Sequence, residues 1–84
     1  MSTWTVDAGS AGLAERMAKS PGILADHMGW ALPGVVRHLG GGVLWLDQMA
    51  VDSLRIRRIE DVGDVQILIG PGDERWPLKE EKEG

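Results

Sequence analysis

The chain has no cysteine, and for 84 residues that is the hardest constraint on what it can fold into. A domain of this size buries only about 60–65% of the surface its unfolded chain exposes. Many such domains are stapled by disulfides or zinc; here a disulfide, a thiolate zinc site and a cysteine nucleophile are all excluded. Packing alone has to hold the fold. An apolar share of 43% beside 26% charged residues is that of a globular chain rather than a disordered one. The length leaves room for one domain, expected over residues 1–78 with a disordered charged tail at 79–84. All the aromatic residues are tryptophan, at Trp4, Trp30, Trp45 and Trp76.

The net charge of −4 argues against a partner held by bulk positive charge, but it is unevenly spread. Between Arg16 and Arg58 the bases Arg16, Lys19, Arg37, Arg55, Arg57 and Arg58 stand against Asp26, Asp47 and Asp52, so the middle is basic while the segment from Pro71 onward is acidic. Met1-Ser2-Thr3-Trp4 opens no secretory signal, and the longest apolar run, Val43 to Leu46, is far short of a membrane span. A soluble cytoplasmic protein with no membrane partner is expected.

Trp4-Thr5-Val6 reads as a short strand, at an edge, cut off by Asp7-Ala8-Gly9-Ser10. Ser10 then caps a helix over Ala11 to Lys19 whose stripe is Leu13, Ala14, Met17 and Ala18. Ser20-Pro21 repeats the start signal for a second helix through Met28, stopped by Gly29. Pro33 opens a third, carrying Val35, Val36 and Leu39 and closed by the flexible joint Gly40-Gly41-Gly42. Val43 to Leu46 leans to strand, although Leu46, Met49 and Ala50 also fit a helix. Ser53 to Glu60 and Asp64 to Gly70 form a hairpin around Asp61-Val62-Gly63, with Ile59 opposite Val65 and a bulge at Arg57-Arg58. Trp76-Pro77-Leu78 is placed over the core. The fold class is therefore α+β, with two or three short N-terminal helices followed by a small antiparallel sheet that ends in a C-terminal hairpin.

Within this pattern the stretch Leu24 to Leu39 resembles the bacterial helix-turn-helix, and the winged relatives in particular if the hairpin is the wing. Ala25 is the small residue inside the first helix, Gly29 the left-handed turn residue four positions on, and Val35 the apolar anchor of the second helix, with Leu39 extending its stripe. The resemblance implies a winged-helix-like fold and a small transcriptional regulator that binds double-stranded DNA. Arg37 and His38 would face the major groove, and Arg55, Arg57 and Arg58 on the hairpin would touch phosphate. Ala31 stands where the family prefers a capping Ser or Thr, and Gly34 weakens the recognition helix by roughly 1 kcal/mol relative to Ala. The alternative reading of the same residues is a helical hairpin with an ordinary core.

Other chemistry is sparse. His27, His38 and Asp26 lack the spacing of a metal site, the acids near Gly63 lack calcium-loop spacing, and Gly40-Gly41-Gly42 lacks a phosphate loop's lysine. No serine sits in a nucleophile elbow, so no enzyme, cofactor or metal is expected. Four indoles are hard to enclose in so small a core, and spare aromatic surface belongs at interfaces. A non-enzymatic interaction or assembly module, phage-type or regulatory, that oligomerises through its sheet and tryptophans is the second functional expectation, and a homodimer suits both.

Overall fold

The computed structural model describes residues 2–24 and 32–82. Strand β1 (Ser2–Asp7) leads into helix α1 (Ala11–Lys19) and a single 3-10 turn, Pro21–Ile23. Strands β2 (Val36–Gly40) and β3 (Val43–Asp47) precede helix α2 (Gln48–Leu54), and β4 (Ile59–Val62), β5 (Val65–Ile69) and β6 (Arg75–Lys82) complete the chain. The six strands form one sheet in the order β2-β3-β1-β6-β5-β4, and every neighbouring pair is antiparallel.

This overturns the expectation of a helix-led α+β domain with a small sheet. The chain begins with a strand, and that strand is no edge: β1 lies between β3 and β6, with Trp4 opposite Leu46 on one side and Glu80 on the other. The helix expected from Pro33 to Leu39 is strand β2. Gly41 and Gly42 turn it into β3, so the glycine run is a hairpin turn rather than a joint. The irregularity in the ladder lies there, between His38 and Gly40, and not at Arg57-Arg58. Of the second expected helix, only the 3-10 turn falls on described residues up to Leu24; its remainder, with Asp26, His27, Gly29 and Trp30, lies outside them.

Local signals explain the elements that agree. Ser10 accepts from Leu13 N–H at 3.3 Å and starts α1, whose Ala14 and Met17 are fully buried. Asp47 ends β3 and caps α2, its Oδ1 accepting from Ala50 N–H at 2.9 Å. The ambiguous run Val43 to Val51 is therefore both, strand to Asp47 and helix from Gln48.

The C-terminal hairpin exists in a different register. Ile59 pairs with Leu68, three residues along from Val65, because Val62 opposite Val65 closes a two-residue turn at Gly63-Asp64. Gly63 has φ +61° at the first turn position, where an L side chain is strained. Ser53 and Leu54 belong to α2, and Arg55 to Arg58 form turns, not strand. Lys79 to Lys82, expected in a disordered tail, are the second half of β6 and pair with β1, from Thr5 opposite Lys79 to Ser2 opposite Lys82.

Both helices pack on one face of the sheet. Alternation along the strands sends Trp4, Val6, Val36, Leu44, Leu46, Leu68, Trp76 and Leu78 toward them, where with Ala14, Met17, Ala50, Val51 and Leu54 they form the buried core. The Trp4 indole N–H donates to Gln48 Oε1 at 3.1 Å, and the Arg55 guanidinium lies 5.4 Å from its ring centre. No helix among the described residues is long and apolar enough to cross a membrane.

Candidate functional site: the helix-free face of the sheet

The same alternation fixes what the other face presents. Across its width run Arg37 and Trp45, opposite each other on β2 and β3; then Thr5 and Lys79; then Val65 and Val62 on β5 and β4. A neighbouring row holds Val43, Asp7, Pro77, Ile67 and Glu60, and Ile69 lies opposite Arg75 beyond it. An antiparallel sheet with one face in water normally alternates apolar-in with polar-out. Here Val43, Trp45, Val62, Val65, Ile67 and Ile69 all point outward, in two lobes separated by the threonines of β1. No helix among the described residues covers them.

Trp45 is the largest of these side chains, and it is half-buried. The cover comes from its cross-strand neighbour: the Arg37 guanidinium lies 5.4 Å from the centre of the indole, a cation-π contact worth about 0.5–1 kcal/mol at an exposed site. Cations and anions on this face nearly balance. Arg37, Arg75 and Lys79 stand against Asp7, Asp47, Glu60 and Glu81, with Asp47 at the cap of α2. Arg75 Nη2 bridges Glu60 Oε2 at 2.7 Å, and Lys79 Nζ lies 4.0 Å from Glu81 Oε1. Such exposed pairs contribute little stability. The face as a whole carries little net charge on a chain of net −4.

The five residues expected to bind DNA are not brought together. Arg37 and His38 are consecutive on β2 and point to opposite faces, Arg37 to the open one and His38 toward the helices. His38 is half-buried, and its Nε2 accepts from Gly42 N–H at 3.4 Å. Arg55 is occupied by the Trp4 ring and by Asp52 Oδ1 at 3.6 Å. Arg57 is exposed in the turn before β4, and Arg58 Nη2 donates to Gly70 O at 2.5 Å. Arg58 leads directly into β4, which is five strand spacings, roughly 24 Å, from β2. Residues Val36–Gly40 being strand, no helix carries Arg37 and His38 into a groove. Among the described residues no group of three His, Cys, Asp or Glu side chains could hold a metal ion.

Of the tryptophans, Trp4 and Trp76 belong to the core, at 6% and 8% exposure, and Trp30 lies outside the described residues. The apolar residues of the open face were visible in the sequence, since the hairpin strands carry Ile, Val and Leu at successive positions. That pattern suits strands packed on a helical layer, and among the described residues only one of the two faces has such a layer. No family model, no curated protein and no solved structure matches the chain.

Proposed function

We propose that the protein is a non-catalytic assembly module that self-associates through the face of its sheet opposite α1 and α2, with Trp45 as the anchor. The observation that carries this is the apolar character of that face: six aliphatic or aromatic side chains point outward from three strands where polar residues belong. A tryptophan flattened beneath an arginine is a residue pair enriched where proteins meet. The near-balanced charge of the face favours a second copy over a polyanion, because two such faces meet with little net repulsion, whereas a nucleic acid needs an excess of cations. Sheets that pack face to face lie about 10 Å apart with side chains interleaved, which the valines and isoleucines suit. In projection the face measures roughly 24 by 17 Å, about 400 Å² before side-chain relief. That is about half of the roughly 800 Å² per partner that a standard interface buries, so the association is weak and concentration-dependent.

Sedimentation velocity from micromolar to millimolar protein tests the proposal. The parent chain should associate with a face-to-face dimer as its unit, and Trp45→Glu and Ile67→Lys should lose that dimer while keeping the parent's circular dichroism. A parent that stays monomeric throughout, or a Trp45→Glu variant that associates like it, refutes the reading. Salt-dependent binding to mixed duplex DNA by the folded monomer would put the regulator reading in its place.

A further inference from the structure

Among the described residues the sheet ends in two edges of opposite charge, β2 on one side and β4 on the other. Asp47 N–H donates to Val35 O at 3.2 Å, so the hydrogen-bonded pairs of this ladder are Val35 with Asp47 and Arg37 with Trp45. Val36 and His38, the alternate residues, turn their N–H and C=O groups away from β3. At the other edge Ile69 N–H donates to Arg58 O at 2.7 Å, which makes Arg58 and Glu60 the inward-bonded residues and turns Ile59 and Asp61 outward. Among the described residues no strand pairs with either edge.

We propose that these edges pair with each other, β2 of one copy with β4 of the next, so that the sheet continues from copy to copy. Strand direction permits it. With six strands all antiparallel to their neighbours, β2 and β4 run in opposite senses, and a second copy in the same orientation offers β4 antiparallel to β2 with its helices on the same side. Register permits it too. Val36, His38, Ile59 and Asp61 all turn their backbone outward and their side chains to the helix face, so placing Val36 opposite Asp61 and His38 opposite Ile59 joins both hydrogen-bonding groups and faces. That register sets Arg37 directly opposite Glu60 on the open face, so that the Glu60 carboxylate, which already bridges Arg75, would be shared between two guanidiniums.

Charge selects this pairing over the two-fold alternatives. Two β2 edges meeting would bring Arg37 against Arg37, and two β4 edges would bring Glu60 against Glu60 with the two Asp61 side chains diagonal to each other. Charges on an edge strand ordinarily guard it against pairing. A guard of one sign on each edge blocks like with like and leaves head-to-tail contact attractive. The interaction is heterologous and does not close on itself. Each copy would advance the sheet by about 29 Å, and a strand twist of about 20–25° accumulates along the chain of copies into a helical filament. The proposal shares its partner, a second copy, with the open-face reading but uses none of the apolar side chains of that face.

The test is sedimentation velocity of the full chain over a wide concentration range at low and high salt, with folding followed by circular dichroism. The parent should grow past dimer without a fixed end point, less so at high salt. Arg37→Glu and Glu60→Lys should each raise the concentration needed for growth roughly tenfold. An equimolar mixture of the two, in which every edge again meets its opposite, should recover it. Asp61→Pro should stop growth without unfolding the domain, since that N–H makes no bond within the sheet. Growth unchanged in the single variants, no recovery in the mixture, or a parent that stops at dimer overturns the proposal. Trp45→Glu separates the two surfaces: if it alone abolishes association the edges are wrong and the face stands, and if only the edge variants do, the reverse holds.

Discussion

Replacing Val36 and Val35 in turn by Asp distinguishes the strand from the recognition helix expected at the same residues. Val36 opens β2 and Val35 directly precedes it; Val36 is 7% exposed in the core while Val35 is 40% exposed. Val36→Asp loses the burial of a valine, about 1.5–3 kcal/mol, and puts a carboxyl into an apolar site with no partner, about 1–3 kcal/mol more even if it takes up a proton. The total, roughly 3–5 kcal/mol, is a large part of the ~4–12 kcal/mol that a domain of this length has in all. The melting temperature should fall by about 15 °C or more, or the chain should be unfolded at room temperature. Val35→Asp should cost no more than about 1 kcal/mol, or a few degrees. Thermal melts by circular dichroism read both. In the helix-turn-helix arrangement Val35 is the buried anchor, so a Val35→Asp variant damaged as badly as Val36→Asp would refute the strand register. The mode of DNA reading would then be open again.

Gly34 has φ +96° and sits where an added Cβ would lie 2.4 Å from both Ala50 N and Asp47 Oδ1, the two atoms of the α2 cap. Gly34→Ala should therefore cost about 2–4 kcal/mol by strain and loss of the cap. Gly40→Ala, at φ +109° with nothing within 4 Å, should cost only the backbone strain, and equal melting temperatures for the two would show that the contact is absent. Deleting Lys79 to Gly84, harmless if these residues were a tail, should remove the partners of Ser2 to Thr5 and lower stability by about 1–4 kcal/mol in urea unfolding, and an unchanged midpoint would deny that β6 extends past Leu78.

What could be read from the sequence was local. Ser10 and the stripe at Leu13, Ala14, Met17 and Ala18 give α1 to the residue, because cap and stripe lie within ten positions and nothing distant competes. The existence of the C-terminal hairpin was legible for the same reason. Its register was not, since that depended on whether Gly63 ends a three-residue loop or begins a two-residue one, and both satisfy its positive φ. At residues 33–39 proline, Val35, Val36 and Leu39 fit a helix as well as a strand. The pairing of Arg37 with Trp45 across the Gly41-Gly42 turn decides it, and pairing is a property of two segments. The Lys-Glu-Glu-Lys of β6 has no strand preference and is held by its neighbour β1. The candidate site failed to show for a related reason. Outward-pointing Val43, Trp45 and Ile67 look like core until the helices are placed, and only the placement of both on one face reveals them as surface.

The two proposed contacts predict different assemblies because their symmetries differ. A face that pairs with its own copy is used up in the dimer, and growth stops at two. An edge that pairs with the opposite edge always leaves one of each free, so growth has no natural end. The contacts are also perpendicular, one normal to the sheet and one in its plane, and occupying the first leaves β2 and β4 of both copies accessible. A chain using both would form a two-layered ribbon whose unit is the face-paired dimer, and its growth would be steeper than that of a single layer because each addition joins two pairs of edges at once. Arg37 links the two, since the guanidinium that lies over Trp45 in the monomer is also the group placed opposite Glu60 at the edge. Moving it toward Glu60 uncovers the indole. Edge pairing should therefore make the face more adhesive, and Arg37→Ala should separate the effects by weakening growth in the plane while leaving Trp45 freer to dimerise. A variant in which both fall together would mean that Arg37 holds Trp45 in place rather than competing for it.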